Sequence, residues 1–181
     1  MRVYLDHNAT SPLRDEVVES MTRVLRGVYG NPSSAHEEGR SARAAVDRAR
    51  ESVASLIGVE AEDVLFTAGA TEANNTALLG LARARSGATR HLVTSAAEHP
   101  SIEAPLEVLE REGWRVTRVR VDSEGLLDEG QFEEVLESET ALVSILWANN
   151  ETGVLQSMER IAVLARERGI PIHADATQAI G

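Results

Sequence analysis

The chain reads as an α/β protein with a mostly parallel sheet flanked by helices, and three observations predict this class. From residue 63 onward, short apolar runs alternate with amphipathic stretches of about 10–15 residues, the rhythm of βαβ units. One run, "LVSILWA" over 142–148, is apolar on both faces, as a central strand covered from two sides would be. Polar residues able to do chemistry cluster just after the apolar runs, where open α/β sheets place ligands.

The elements follow in order. After a turn-like opening, "VYLDHNATSP", Ser11 and Pro12 suit the N-cap and first position of a helix, and Val17, Met21, Val24, Leu25 and Val28 recur at helical spacing. "YGNPSSAH" breaks that helix. Ser34 with Glu37 reads as a capping box opening a second helix. Its expected buried face is Ala42, Ala45, Val46, Ala49, Val53 and Leu56, and Gly58 ends it. Strands are then expected over 63–69, 91–96, 114–121, 140–149 and 170–176. Helices are expected over 71–85, 101–113, 128–138 and 157–169. Neither repeats nor a low-complexity linker interrupt the pattern.

With 181 residues, 43% of them hydrophobic, the chain can bury a core of its own and is most simply one domain or most of one. A net charge of −11 argues against a nucleic-acid or anionic-membrane surface, since phosphate binding needs clustered positive charge. "MRVYLDHNATSP" lacks the apolar core of a signal peptide, and no apolar run approaches the roughly 20 residues of a membrane span. There is no cysteine, hence no disulfide framework, so a soluble cytoplasmic protein is expected. All 18 basic residues are arginines. Without lysine a Walker P-loop is excluded, and so is any Schiff-base lysine or cysteine nucleophile from this chain.

The strand-end clusters are "AGATEANN", "AAEHPS", "ANNETG" and "DATQ". Gly69 lets the backbone turn closely before Thr71 opens a helix, and free amides plus a hydroxyl at a helix N-terminus suit a phosphate. His99 precedes Pro100, which keeps its backbone out of helix. Asp175 and Gln178 follow the last apolar run. Singly, each has a plainer reading: an N-cap, a solvated loop histidine, turn-forming asparagines at 149 and 150, a capping carboxylate. Together they describe a phosphorylated aromatic ligand. Its phosphate would sit at Thr71, its ring face under His99 and its ring nitrogen facing Asp175, with Gln178 or Asn150 donating to a ring oxygen. A carboxylate beside a pyridine nitrogen keeps that nitrogen protonated and makes the ring an electron sink.

In these residues the chain resembles the cysteine desulfurases of the NifS/IscS type, within the class-V aminotransferase family of fold-type-I pyridoxal-phosphate enzymes. The resemblance runs in order through "YLDHNATSP", "GNPSSAHEEGRSAR", "FTAGATEANN", "EHPSI", "NNETGVLQ" and "HADATQAIG". It implies a homodimer using pyridoxal 5'-phosphate to convert L-cysteine to L-alanine, passing sulfur as a persulfide to an acceptor or scaffold protein, for iron–sulfur clusters or other sulfur supply. The implied cofactor contacts are the Ala70 amide and Thr71 for the phosphate and Asp175 for the pyridine nitrogen. Gln178 is implied for the phenolic oxygen, and Asn150 for orienting cofactor and substrate. His99 is implied to stack on the ring and assist proton transfer. Residues 1–13 would belong with the family's small domain, and 14–181 would form an incomplete cofactor-binding large domain. His7 and Asn8 depart from the family's usual opening.

The resemblance also places the cofactor-linking lysine, the persulfide cysteine, the substrate arginine and the small domain after the "DATQ" strand. This chain alone is therefore expected to be inactive, with a sheet edge uncovered and a tendency to dimerise, to pair with a C-terminal half or to aggregate. Two other readings stand beside it: another class-V aminotransferase or lyase, and a catalytically dead scaffold of the same fold. No metal site is expected. His173 and Asp175 share a strand face, but zinc needs three or four ligands, and His173 reads as a packed strand histidine.

Overall fold

The computed structural model describes residues 2–85 and 90–180; the expected spans 1–13 and 14–181 therefore include Met1, 86–89 and Gly181, which lie outside the described residues. The chain divides into two compact units, Met1–Phe66 and Thr67–Gly181.

In the first unit, helix α1 spans Asp15–Gly27, with Asp15 and Glu16 in its first turn and Arg26 in its last, as the helix dipole favours. The expected start at Ser11–Pro12 is not used. Arg14 is the N-cap, without a side-chain cap, and no residue of α1 is buried. Helix α2 spans Glu37–Ile57. Its N-cap is His36, whose ring accepts from the Gly39 amide, rather than the expected Ser34. The reason is local: the Ser34 amide donates to the Asn31 carbonyl and the Ser33 amide to Asn31 Oδ1, closing a turn that delays the helix. That turn lies so close to α2 that a Cβ on Gly39 would stand 2.2 Å from the Ser34 carbonyl oxygen. Gly58, at φ 72°, ends α2 in the left-handed conformation, as expected. Of the expected buried face, Ala42 is buried while Val53 and Leu56 are exposed.

Residues 63–69 do not form the expected strand. A single 3₁₀ turn at Ala61–Asp63 is followed by extended backbone at Val64. Among the described residues, none of 63–69 is part of a strand, and Leu65 is 71% exposed. Extended backbone becomes a strand only with a ladder partner.

The second unit holds α3 (Ala70–Ala84), β1 (His91–Ser95), α4 (Pro100–Arg111), β2 (Arg115–Val119), α5 (Glu129–Val135), β3 (Thr140–Leu146), α6 (Met158–Glu167) and β4 (Ile172–Asp175). The sheet order is β2-β1-β3-β4, every pair parallel. β1 and β3 are central and buried at every residue, which explains the two-sided apolarity of "LVSILWA". Successive strand residues face opposite sides. Leu92 and Leu142 pack with Leu78, Ile102, Leu106 and Leu109 under α3 and α4. Val93, Val143 and Ile145 pack with Phe132, Ile161 and Leu164 under α5 and α6. His91, wholly buried, ties the strands at their start, its ring nitrogens 2.9 Å from Thr140 Oγ1 and Thr117 Oγ1. From β1 the chain crosses to β2 on one side, then returns to β3 on the other. The carboxyl ends of β1 and β3 thus flank the switch point where such sheets open a crevice.

Candidate functional site

The turns after β1, β3 and β4 and the start of α3 meet at this end of the sheet. The N-cap of α3 is Gly69, whose backbone is extended, and among the described residues no side chain caps this helix end. Among the described residues the first-turn amides of Ala70 and Thr71 therefore have no side-chain acceptor, an arrangement suited to an anion. The carboxylate of Glu72 turns the other way and accepts from the Ala68 amide.

One turn into α3, Asn74 is 4% exposed and fastens this helix to β4: its Nδ2 donates to Asp175 Oδ2 at 2.8 Å. Asp175, the last residue of β4, is 5% exposed. Its Oδ1 accepts both the amide and the hydroxyl of Thr177, at 3.0 and 2.6 Å. A carboxylate offers about four lone-pair sites. Three are occupied among the described residues, leaving room on Oδ2 for one more donor. Burial pushes Asp175 toward its neutral form. The Thr177 hydroxyl and amide, Asn74 and the nearby His173 ring outweigh that, so the carboxyl titrates below its ordinary range and stays ionised. His173 is the packed strand histidine expected, with Nδ1 2.9 Å from Ser144 Oγ, and burial lowers its pKa against the pull of Asp175.

His99 is the N-cap of α4, extended at φ −73° and ψ 150°, with Pro100 at the first helical position. Its Nδ1 accepts from the Ser101 amide at 3.1 Å and lies 2.8 Å from Ser101 Oγ. Ser101 Oγ in turn accepts from Asn74 Nδ2 at 2.9 Å. His99, Ser101, Asn74, Asp175 and Thr177 thus form one continuous chain of polar contacts.

Glu98 points inward from the same loop. Its Oε1 accepts from Ser95 Oγ at 2.6 Å and from the Leu146 amide at 3.0 Å. Its Oε2 is buried and finds no hydrogen-bond partner among the described residues. Burial pushes this carboxyl up to about 7, the Asp175 charge adding to the effect against the donors from Ser95 and Leu146. Two carboxyls with opposite shifts therefore stand at one sheet edge.

Asn150 is half-buried in the turn after β3 and Gln178 exposed in the turn after β4. Asn149 is the turn former there, its Oδ1 accepting the amides of Glu151 and Thr152. Asn74, Ser101 and Glu98 escape a reading by sequence, because only the fold brings their partners near. The one available signal is Asn74's place a single turn after Ala70, on the helix that opens the phosphate-like cluster. Among the described residues, no three His, Cys, Asp or Glu gather as a metal site, and no helix is long and apolar enough to cross a membrane.

The aminotransferase class-V family profile matches residues 3–181. The chain is 42% identical to a cysteine desulfurase IscS of Dictyoglomus turgidum over 99% of its own length and 45% of that protein. It is 44% identical to the mitochondrial cysteine desulfurase of Drosophila melanogaster over 99% of itself and 39% of that protein. It spans about half the length of the curated relatives it matches, or less. Among solved structures, a NifS-like protein superposes with a TM-score of 0.95 at 36% identity, covering 99% of this chain and 50% of that one. A structure of SspA in complex with cysteine gives 0.92 at 38%, covering 97% and 51%.

Proposed function

The chain belongs to the aminotransferase class-V family, and from that premise we propose that it carries the cofactor-facing half of a cysteine desulfurase that uses pyridoxal 5'-phosphate. The observation that carries this reading is the buried, ionised Asp175, joined through Asn74 to the first turn of a helix with an uncapped N-terminus. The donor set fits the cofactor: the vacant lone pair of Asp175 Oδ2 suits a protonated ring nitrogen, and the Ala70 and Thr71 amides with the Thr71 hydroxyl suit its phosphate. When bound, this cofactor supplies an electron sink for the amino acid attached to it. With no lysine or cysteine, the chain itself provides neither the covalent link nor the sulfur-carrying nucleophile.

In this reading Asp175 would hold a proton on the ring nitrogen, and the first-turn amides of α3 would hold the phosphate. His99 covers the ring and handles a proton beside it. Gln178 faces the phenolic oxygen, and Asn150 orients ring and substrate. The substrate is L-cysteine, released as L-alanine, with the sulfur leaving on a cysteine outside residues 1–181 for an acceptor or scaffold protein, such as one that builds iron–sulfur clusters. The working protein is a cytoplasmic homodimer, in which residues 1–13 go with a second, smaller domain.

A chimera tests this. Residues 1–181 replace the matching N-terminal portion of the Dictyoglomus turgidum relative, and alanine release from L-cysteine is measured. Activity, abolished by Asp175→Ala, is expected. A folded chimera that binds the cofactor yet releases no alanine would point to another reaction of the family, and one that binds no cofactor would point to a scaffold.

A further inference from the structure

The chain of polar contacts from Asp175 to His99 has only one direction that chemistry permits. An amide nitrogen can only donate and an ionised carboxylate can only accept. Asn74 must therefore turn Nδ2, not its carbonyl oxygen, toward Asp175 Oδ2 at 2.8 Å. The same nitrogen reaches Ser101 Oγ at 2.9 Å, so that hydroxyl oxygen is an acceptor there. Its hydrogen is then free for its other neighbour, His99 Nδ1, 2.8 Å away. The Ser101 amide hydrogen points at the same Nδ1 at 3.1 Å. Nδ1 faces two donors and must be the bare nitrogen, leaving the ring proton on Nε2. Asn74 and Ser101 are each less than 10% exposed, at 4% and 7%, so water does not compete for these bonds.

We infer that Asn74 is a positioning residue for His99: anchored on Asp175, it directs the Ser101 hydroxyl onto Nδ1 and so presents His99 to the site as an Nε2–H donor. Resting on the reading of His99 as the group that covers the bound ring, this gives the histidine a defined task, donating at Nε2 to an acceptor atom of ligand or substrate. It also gives Asp175 a second role, as the fixed acceptor from which the direction of the whole chain is set. The carboxylate and the imidazole are thereby coupled without touching.

The test is nitrogen NMR of the histidine ring in the 181-residue chain, without cofactor and at alkaline pH. The expected result is a single His99 tautomer, protonated at Nε2, with Nδ1 at the resonance of a hydrogen-bonded acceptor. In Asn74→Asp the new carboxylate draws the Ser101 hydroxyl away, so the Nδ1 resonance moves to the value found in Ser101→Ala. Ser101→Thr, which keeps a hydroxyl, restores the parent value. A proton on Nδ1 in the parent chain overturns the inference and needs no variant to fold. So does an Nδ1 resonance identical in the parent, Ser101→Ala and Asn74→Asp. Failure to bind pyridoxamine 5'-phosphate would instead sink the functional reading and leave this measurement unaffected.

Discussion

Glu98 and Leu146 stand 48 residues apart in sequence, yet the Leu146 amide donates to Glu98 Oε1 at 3.0 Å. This bond ties the loop after β1 to the last residue of β3, holding the two sides of the switch point together. The same carboxyl is pushed up to about 7 by burial, from an ordinary value of 4.5.

Glu98 therefore makes stability depend on pH. The native state binds this proton between about 4.5 and 7 while the unfolded state does not. The stabilisation is full below the lower value and is lost as pH rises through the higher one. Glu98→Gln mimics the protonated acid and keeps an oxygen for Ser95 and Leu146. Relative to the parent, it should gain on the order of 2 kcal/mol between pH 5 and pH 8. Urea unfolding at the two pH values measures this, and equal pH dependence in both proteins would contradict it.

Gly39 tests the entry to α2. A Cβ there would stand 2.2 Å from the Ser34 carbonyl oxygen, a backbone atom with no rotamer to yield. Gly39→Ala should cost about 1–3 kcal/mol by overpacking, although alanine is the better helix former. Chemical unfolding of the two proteins decides, and a stabilised variant would mean that the turn at 31–34 does not press on the helix.

The strand–helix alternation after residue 90 was legible because each strand there finds parallel neighbours and each helix buries a stripe. Residues 63–69 carry the same apolar signal but find no ladder partner among the described residues, and pairing is not a local property. The site divides in the same way. Asp175 and His99 stand out by type and by position after a strand, His99 further by the proline behind it. Asn74 and Ser101 look like ordinary polar helix residues, since their meaning depends on partners 101 and 27 residues from Asn74. The delayed start of α2 escaped for a different reason: serine suits an N-cap, but Asn31 competes for the backbone that Ser34 would have needed.

Ala70 tests the proposed phosphate contact. It is the first residue of α3, where proline is tolerated because no helical bond uses that amide, and the extended backbone of Gly69 before it suits a following proline. Ala70→Pro should leave the fold and its unfolding midpoint unchanged while weakening pyridoxamine 5'-phosphate binding about tenfold, the worth of one hydrogen bond to a charged group. Calorimetric titration measures it, and unchanged affinity would place the phosphate elsewhere.

The most direct test of the proposed cofactor-facing site is titration of the isotope-labelled chain with pyridoxamine 5'-phosphate, which needs no lysine to bind. The predicted result is saturable movement of the Ala70 and Thr71 amide signals together with the side-chain signals of His99, Asn74 and Asp175. Movement confined to other residues, such as those lining the groove of Trp147, Met158 and Ile172 beside β4, or no movement at all, would contradict it.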